Sequence, residues 1–247
     1  MPDDRPPNRL IPAIVLALGL ALAGWFIGRG WTAARTVERF VTVKGVAERE
    51  VTADLALWPF QVVATNNDLG RAQAEIDRSI GAIYRFLARN GVDTAGAELQ
   101  GLQVTDRLAQ DYREGGAASA RFVVQQLVMV RSQNAAAVQG ASQHLGELVG
   151  EGVVLQSGSG WGPARPVFLF GGLNEVKPAM IAEATSSARA AAEEFARDSD
   201  SRLGGIRRAS QGIFVILPRD QAPGVSESDQ LNKTVRVVTT VEYYLEH

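Results

Sequence analysis

Residues 40–59 read FVTVKGVAEREVTADLALWP, and their periodicity sets the fold class. Phe40-Val-Thr-Val-Lys-Gly alternates with a period of two, and Val51, Ala53, Leu55 and Leu57 alternate again toward Trp58-Pro59. That is the pattern of strands with one face turned to a core. The charged Glu48-Arg49-Glu50 between them predicts a polar interruption that divides the stretch into two strands.

Downstream the period changes. Leu69, Ile76, Ile80, Ile83 and Leu87 fall on one face at helical spacing, so a helix is predicted over 68–90, capped by Asn66 or Asn67 and closed by Gly91. Strands are predicted near 98–108 and 121–131 on either side of Gly115-Gly116, followed by a bridging helix over 134–148. The series then repeats. Extended segments at 153–156 and 166–173 precede an Ala-rich helix over 175–198 that presents Ile181, Ala184, Ala188, Ala191 and Phe195 on one side. Strands over 205–217 and 234–245 follow, separated by a turn-rich 218–229. The reading is an α+β body of two β-α-β-β units joined by the bridging helix, with helices packed on mainly antiparallel sheet. Its halves span about 40–132 and 150–247 of a domain running 40–247.

The first 39 residues read differently, as a charged leader, an uncharged and mostly aliphatic run over about 10–27, and a linker. A helix of that length spans about 27 Å, close to the hydrocarbon thickness of a bilayer, so a single transmembrane anchor is predicted. Ala21-Leu22-Ala23 before Gly24 has the small-x-small form of a signal-peptidase site, yet the run continues through Trp25, Phe26 and Ile27, which favours a retained anchor. Trp25 and Trp31 bracket the predicted exit from the bilayer. Ala13, Ala17, Ala21, Gly24 and Gly28 fall within about 80° of arc on such a helix. This small-residue stripe, ending in Gly24-x-x-x-Gly28, is a candidate helix-packing face. Arg29, Arg35 and Arg39 after the run outnumber Arg5 and Arg9 before it, a count that by itself points the body toward the cytoplasm.

Composition narrows the function classes. The 247 residues carry a net charge of −2, and five of the arginines lie in the first forty positions, leaving a more acidic body without a basic stripe. Nucleic acid is not an expected partner. There is no cysteine, which removes disulfides, thiolate nucleophiles, cysteine-zinc sites and iron–sulfur clusters.

Val41-Thr-Val-Lys-Gly-Val-Ala-Glu, Ala53-Asp-Leu-Ala close to Pro59, the Ala-rich helix Ala182 to Ala196 leading to Leu203-Gly-Gly-Ile, and Lys233-Thr-Val-Arg-Val-Val-Thr-Thr-Val together resemble the SIMPL-domain family. This bacterial envelope group includes periplasmic immunogenic proteins once described as outer-membrane proteins. The resemblance covers about Phe40 to Tyr244 and contains no catalytic signature. It implies a periplasm-facing domain that tends to oligomerise, connected with envelope integrity or stress, without enzymatic activity or cofactor. With the anchor, it places the protein in a bacterial inner membrane, single-pass, with the body in the periplasm, and it outweighs the arginine count. Many relatives look like secreted proteins with a removable signal, so the retained anchor is a departure.

No catalytic, cofactor or metal residue is read from the sequence. His144 has no second interior histidine, and the Glu48-Arg49-Glu50 cluster with Asp54 reads as a solvated strand face. Ser157-Gly-Ser-Gly-Trp-Gly-Pro lacks both the Gly-x-Ser-x-Gly spacing and a phosphate-loop lysine, and reads as a flexible turn. Trp161 within it is a candidate surface contact, with burial against the sheet as the other reading. The expected function is a membrane-anchored, non-enzymatic oligomeric envelope component with itself, the membrane and other envelope proteins as partners. A small-ligand or lipid-binding module in a cleft between the halves is the alternative, and an enzyme the third.

Overall fold

The computed structural model describes residues 10–34, 39–109, 120–156 and 164–246, with side chains at all of these but 10–15 and 30–34. The chain divides into two compact units, one of residues 43–191 and 209–241 and one of 1–42, 192–208 and 242–247.

In the larger unit, β2 (Leu55–Asn66), β3 (Ala97–Asp106), β4 (Phe122–Ser132) and β5 (Val167–Leu169) form a sheet of order β3-β4-β2-β5. All three pairings are antiparallel. The helix α2 (Leu69–Arg89) covers one face, matching the predicted 68–90. Its N-cap is Asp68, whose carboxylate accepts the Arg71 N–H at 2.8 Å, while Asn66 accepts the Asp68 N–H. Ile76, Ile80, Ile83 and Leu87 are buried as expected, together with Phe86, whereas Leu69 is exposed. They pack on Ala56, Trp58, Phe60, Val62 and Ala64, the alternate residues of β2, and on Val124, Val128 and Val130 of β4.

Pro59 lies inside β2 without disturbing it. The second edge of β2 is covered by β5 at 55–57 and by a short bridge farther along, where Val63 N–H donates to Val154 and Gln156 N–H to Gln61. Residues 61 and 63 direct their backbone groups to that edge, and so by alternation does Pro59, which falls in the gap between the two covering pieces.

The predicted bridging helix is two short ones, α3 (Ala135–Ser142) and α4 (Gly146–Gly150), broken around His144. The predicted break at Glu48-Arg49-Glu50 is absent. Strand β1 (Phe40–Thr52) runs through it, because Glu48 and Glu50 fall on the exposed face of an alternating strand, and the chain breaks instead at Ala53-Asp54.

Strand β1 pairs in a second sheet of order β1-β8-β6, with β7 also on β8; these are β6 (Arg202–Gln211), β7 (Val215–Pro218) and β8 (Asn232–Glu246). The sequence units therefore exchange strands. The first strand of the first half joins the sheet of the second, and β5 of the second half joins the sheet of the first.

Helix α5 (Leu173–Asp198) buries Met180, Ala184, Ala188, Ala192 and Ala196, a strict i+4 series. Of the predicted face, Ala184 and Ala188 hold, but Ala191 is exposed and Phe195 is 51% exposed. Met180 and Ala184 join Ala47, Val235 and Val237 in a second core. At Gly45 the α5 backbone rests so close on β1 that an added Cβ would lie 1.8 Å from the Ala184 carbonyl oxygen.

The smaller unit holds α1 (Leu10–Ala34), the start of β1, the end of α5, most of β6 and the last turn of β8's sequence. Within it Leu245 N–H donates to Arg39, and Arg207 pairs with Glu242 at 3.0 Å while lying over the Phe40 ring. Among the described residues no helix is long and apolar enough to cross a membrane. The described side chains of α1 run only from 16 to 29, short of the about 20 residues a span needs.

Candidate functional site

Two of the acidic residues within 48–54, Glu48 and Asp54, are taken up by structure. Asp54 accepts the Gly171 N–H at 2.9 and 3.0 Å through its two carboxylate oxygens, and the Gly172 N–H at 2.9 Å. These donors immediately precede Leu173, the first residue of α5, so the carboxylate also faces the positive end of that helix. Asp54 N–H donates to Leu169, Ala53 N–H to Leu231, and the Thr52 hydroxyl to Asn232. Three distant segments are thus fastened where β1 gives way to β2. Glu48 pairs with Arg236 at 3.3 Å and Arg49 with Glu183 at 3.9 Å, so neither forms an acid–base pair with Asp54.

A second polar junction was invisible to sequence reasoning. Lys233 is 0% exposed, and its ammonium donates to the Glu227 carboxylate at 2.6 Å and to the Glu227 backbone carbonyl. Glu227 begins a 3-10 turn, Glu227–Asp229, closed by a capping box between Ser226 and Asp229. Asp220 and Gln230 exchange two further hydrogen bonds, which ties off the loop that the turn belongs to. The only hint in the sequence was a lysine at an inward position of an alternating strand.

Clefts open to solvent in the larger unit include two bordered by described residues. One, of about 490 Å³, lies between α2, Val63-Ala64 of β2 and residues 151–154, with Arg78, Arg85 and Glu151 on its rim. Glu151 takes Arg89 at 2.8 Å and Arg85 at 3.6 Å. The Arg89 guanidinium, hydrogen-bonded to it, holds the Glu151 carboxyl below the usual carboxylate range. The other cleft, of about 320 Å³, is bordered by Gln139, Gln143, Arg165, Phe168 and Asp229. His144 is exposed in the turn between α3 and α4. Among the described residues no three His, Asp or Glu side chains gather as a metal site. At the end of the β3–β4 pair where the chain passes from one strand to the other, Arg121 clamps Asp106 with both carboxylate oxygens engaged and lowers its pKa.

Of the small-residue stripe, Ala17, Ala21, Gly24 and Gly28 are exposed on α1, and a Cβ built on either glycine would meet nothing within 4 Å. The Ala13 side chain lies outside the described residues, as does Trp161. Leu16, Leu18, Leu20, Leu22, Trp25, Phe26 and Ile27 are exposed around the same helix. The terminal strand β3 adds an apolar edge that sequence reasoning passed over. Leu99 is 54% and Leu102 57% exposed on a strand bulged between Gln100 and Gln103, where Gly101 takes a φ of +60°. A positive-φ glycine inside a strand pattern was the available signal.

No curated protein matches the chain. The SIMPL family model, described as a protein of unknown function (DUF541), matches residues 41–243. That range starts one residue into β1 and ends inside β8, taking in both exchanged strands, the Asp54 junction and the buried lysine. The chain belongs to the SIMPL family.

Proposed function

We propose that the protein is a single-pass, inner-membrane component of the bacterial cell envelope whose SIMPL body lies in the periplasm, self-associates and contacts other envelope proteins without catalysing a reaction. The observation that carries this reading is α1. It is one unbroken helix over Leu10–Ala34, and from Leu16 to Ile27 its exposed side chains are apolar on every side. A helix apolar all round is suited to lipid or to other helices and not to the surface of a soluble domain. The open edge of β3, with Leu99, Leu102 and Val104 exposed, supports association of the body.

Membrane fractionation with alkaline extraction, together with a C-terminal alkaline phosphatase fusion, tests the placement. Release of the chain by alkali, or an inactive fusion that is well expressed, would overturn it. Light scattering of the full chain in detergent tests association, and a monomer would remove that part. A second reading, a binding module for a small ligand, is favoured by the 490 Å³ cleft, whose size suits a small molecule and whose rim carries both charges. Arg85→Ala with a metabolite-induced thermal-shift screen separates the two: a ligand whose stabilisation disappears in the variant supports binding.

A further inference from the structure

Arg29 follows Trp25 by one helical turn, and its guanidinium carbon lies 5.0 Å from the centre of the Trp25 ring. Trp25 meets Phe26 edge to face, with ring centroids 5.2 Å apart. Helical side chains lean toward the N-terminus. Arg29 therefore reaches back along the axis by about 6 Å and sets its charge at the level of the Trp25 indole. A guanidinium is costly in hydrocarbon, whereas an indole with a cation on its face suits the headgroup region, where both can meet water.

We infer that Trp25, Phe26 and Arg29 form a collar that docks at the phospholipid headgroup layer, so that the part of α1 matched to hydrocarbon ends at Gly24 and not at Ile27. The inference rests on the membrane reading above and deepens it. The uncharged run begins at Leu10, so the matched length is about 22 Å, against about 27 Å for the whole run and about 30 Å for a typical bilayer. Such an anchor prefers a thin bilayer, or thins a thicker one around it.

Because the chain has no cysteine, single cysteines at Leu20, Gly24 and Gly28 can each carry a bimane probe. Leu20 is exposed, and a Cβ at either glycine meets nothing. The full chain is reconstituted in vesicles of di-14:1, di-18:1 or di-22:1 phosphatidylcholine, and probe depth is read by quenching with spin-labelled lipids. The expected result is a deep Leu20 probe, a Gly28 probe at headgroup level and the highest insertion yield in di-14:1 vesicles. Arg29→Leu is expected to draw the Gly28 probe inward by about 4 Å, the rise of the three residues returned to hydrocarbon, and to shift the best yield to longer lipid; Arg29→Lys is expected to keep both. A Gly28 probe as deep as Leu20 in the parent, or unmoved by Arg29→Leu, would overturn the collar while leaving the anchor intact. Failure to float with any of the vesicles would overturn both.

Discussion

Gly45 is where a single methyl group is expected to do the most damage. A Cβ there lies 1.8 Å from the Ala184 carbonyl oxygen and 2.4 Å from the Ala188 nitrogen, and real Cβ contacts stay above 3.0 Å. Both obstacles are backbone, so no rotamer change relieves them, and Ala184→Gly would not either. Gly45→Ala must therefore lift α5 from β1 by about 1 Å. A gap of that size forfeits up to half of each dispersion contact across it, here the seat of Met180 and Ala184 on Ala47, Val235 and Val237.

Overpacking ordinarily costs about 1–3 kcal/mol, and a rigid obstacle places Gly45→Ala at the upper end, about 3 kcal/mol. Intrinsic preference opposes this, since Ala is favoured over Gly in a strand interior by about 0.5–1 kcal/mol. Gly205→Ala is the control: it also lies within a strand, and its Cβ meets nothing within 4 Å. In urea titrations of the full chain in detergent, Gly45→Ala is expected to lose about 3 kcal/mol, or about 6–12 °C in Tm for a chain of this size, while Gly205→Ala is expected to lose nothing and to gain up to about 1 kcal/mol. Equal stability of the two variants would refute the contact of α5 with β1 at this point.

Asp54→Ala is expected to cost about 2–3 kcal/mol in the same titration, because the N–H groups of Gly171 and Gly172 lose a charged acceptor, with Asp54→Asn intermediate. The Lys233–Glu227 pair is expected to respond asymmetrically. Glu227→Ala strands a buried ammonium and costs about 3 kcal/mol or more, whereas Lys233→Met releases a half-exposed carboxylate to water and costs under about 1.5 kcal/mol; equal losses would refute burial of the lysine. Glu151 titrates below its usual range in the folded protein, so its pairing stabilises above the unfolded carboxylate pKa of about 4.3 and is lost as pH falls through the lower folded value. Arg89→Ala is expected to flatten that part of the stability–pH curve, and an unchanged acid limb would count against the pairing. Chains cut between Ser132 and Gly150 and produced as separate halves are expected to stay unfolded by amide exchange, since each half lacks a strand of its sheet.

What the sequence made legible was periodicity. The α2 helix and the strands β3, β4 and β8 lie within two or three residues of their expected limits; α2 and β8 do so because each buries one side at its own period, and β4 because it is a short apolar run buried on both faces. The face of α5 was misread for the opposite reason. Its sequence is alanine on most sides, so hydrophobicity marks no face, and side-chain size decides: Ala184 and Ala188 lie where the helix backbone comes close to Gly45. Phe195, the largest side chain of the stretch, is off the buried i+4 series and exposed. The charges of Glu48-Arg49-Glu50 suggest a polar interruption, but Glu48 and Glu50 lie on the face of β1 that is open to solvent, so the strand continues through them. The buried Lys233 and the exposed apolar residues of β3 leave only faint signals: a lysine at an inward position of an alternating strand, whose partner Glu227 lies six residues away, and a glycine within a strand pattern.

The strand exchange gives these residues a common logic. A chain built as two separate β-α-β-β units would need only local connections, and Asp54 would be a turn residue of no consequence. Because β1 and β2 belong to different sheets, the two residues between them must redirect the backbone while every N–H finds an acceptor. Ala53 and Asp54 do this with Leu231 and Leu169, one from each of the segments that enter the two sheets, and the Asp54 carboxylate then fixes the start of α5. The helix that lies on Gly45 of β1 is thus positioned by the residue that ends β1's run, so the register of the strand and the seat of the helix are set by neighbouring residues of one segment. That coupling runs through Val41 to Glu48 and Ala53 to Ala56, two of the stretches that carry the family resemblance, and it involves backbone geometry and not a cluster of reactive side chains.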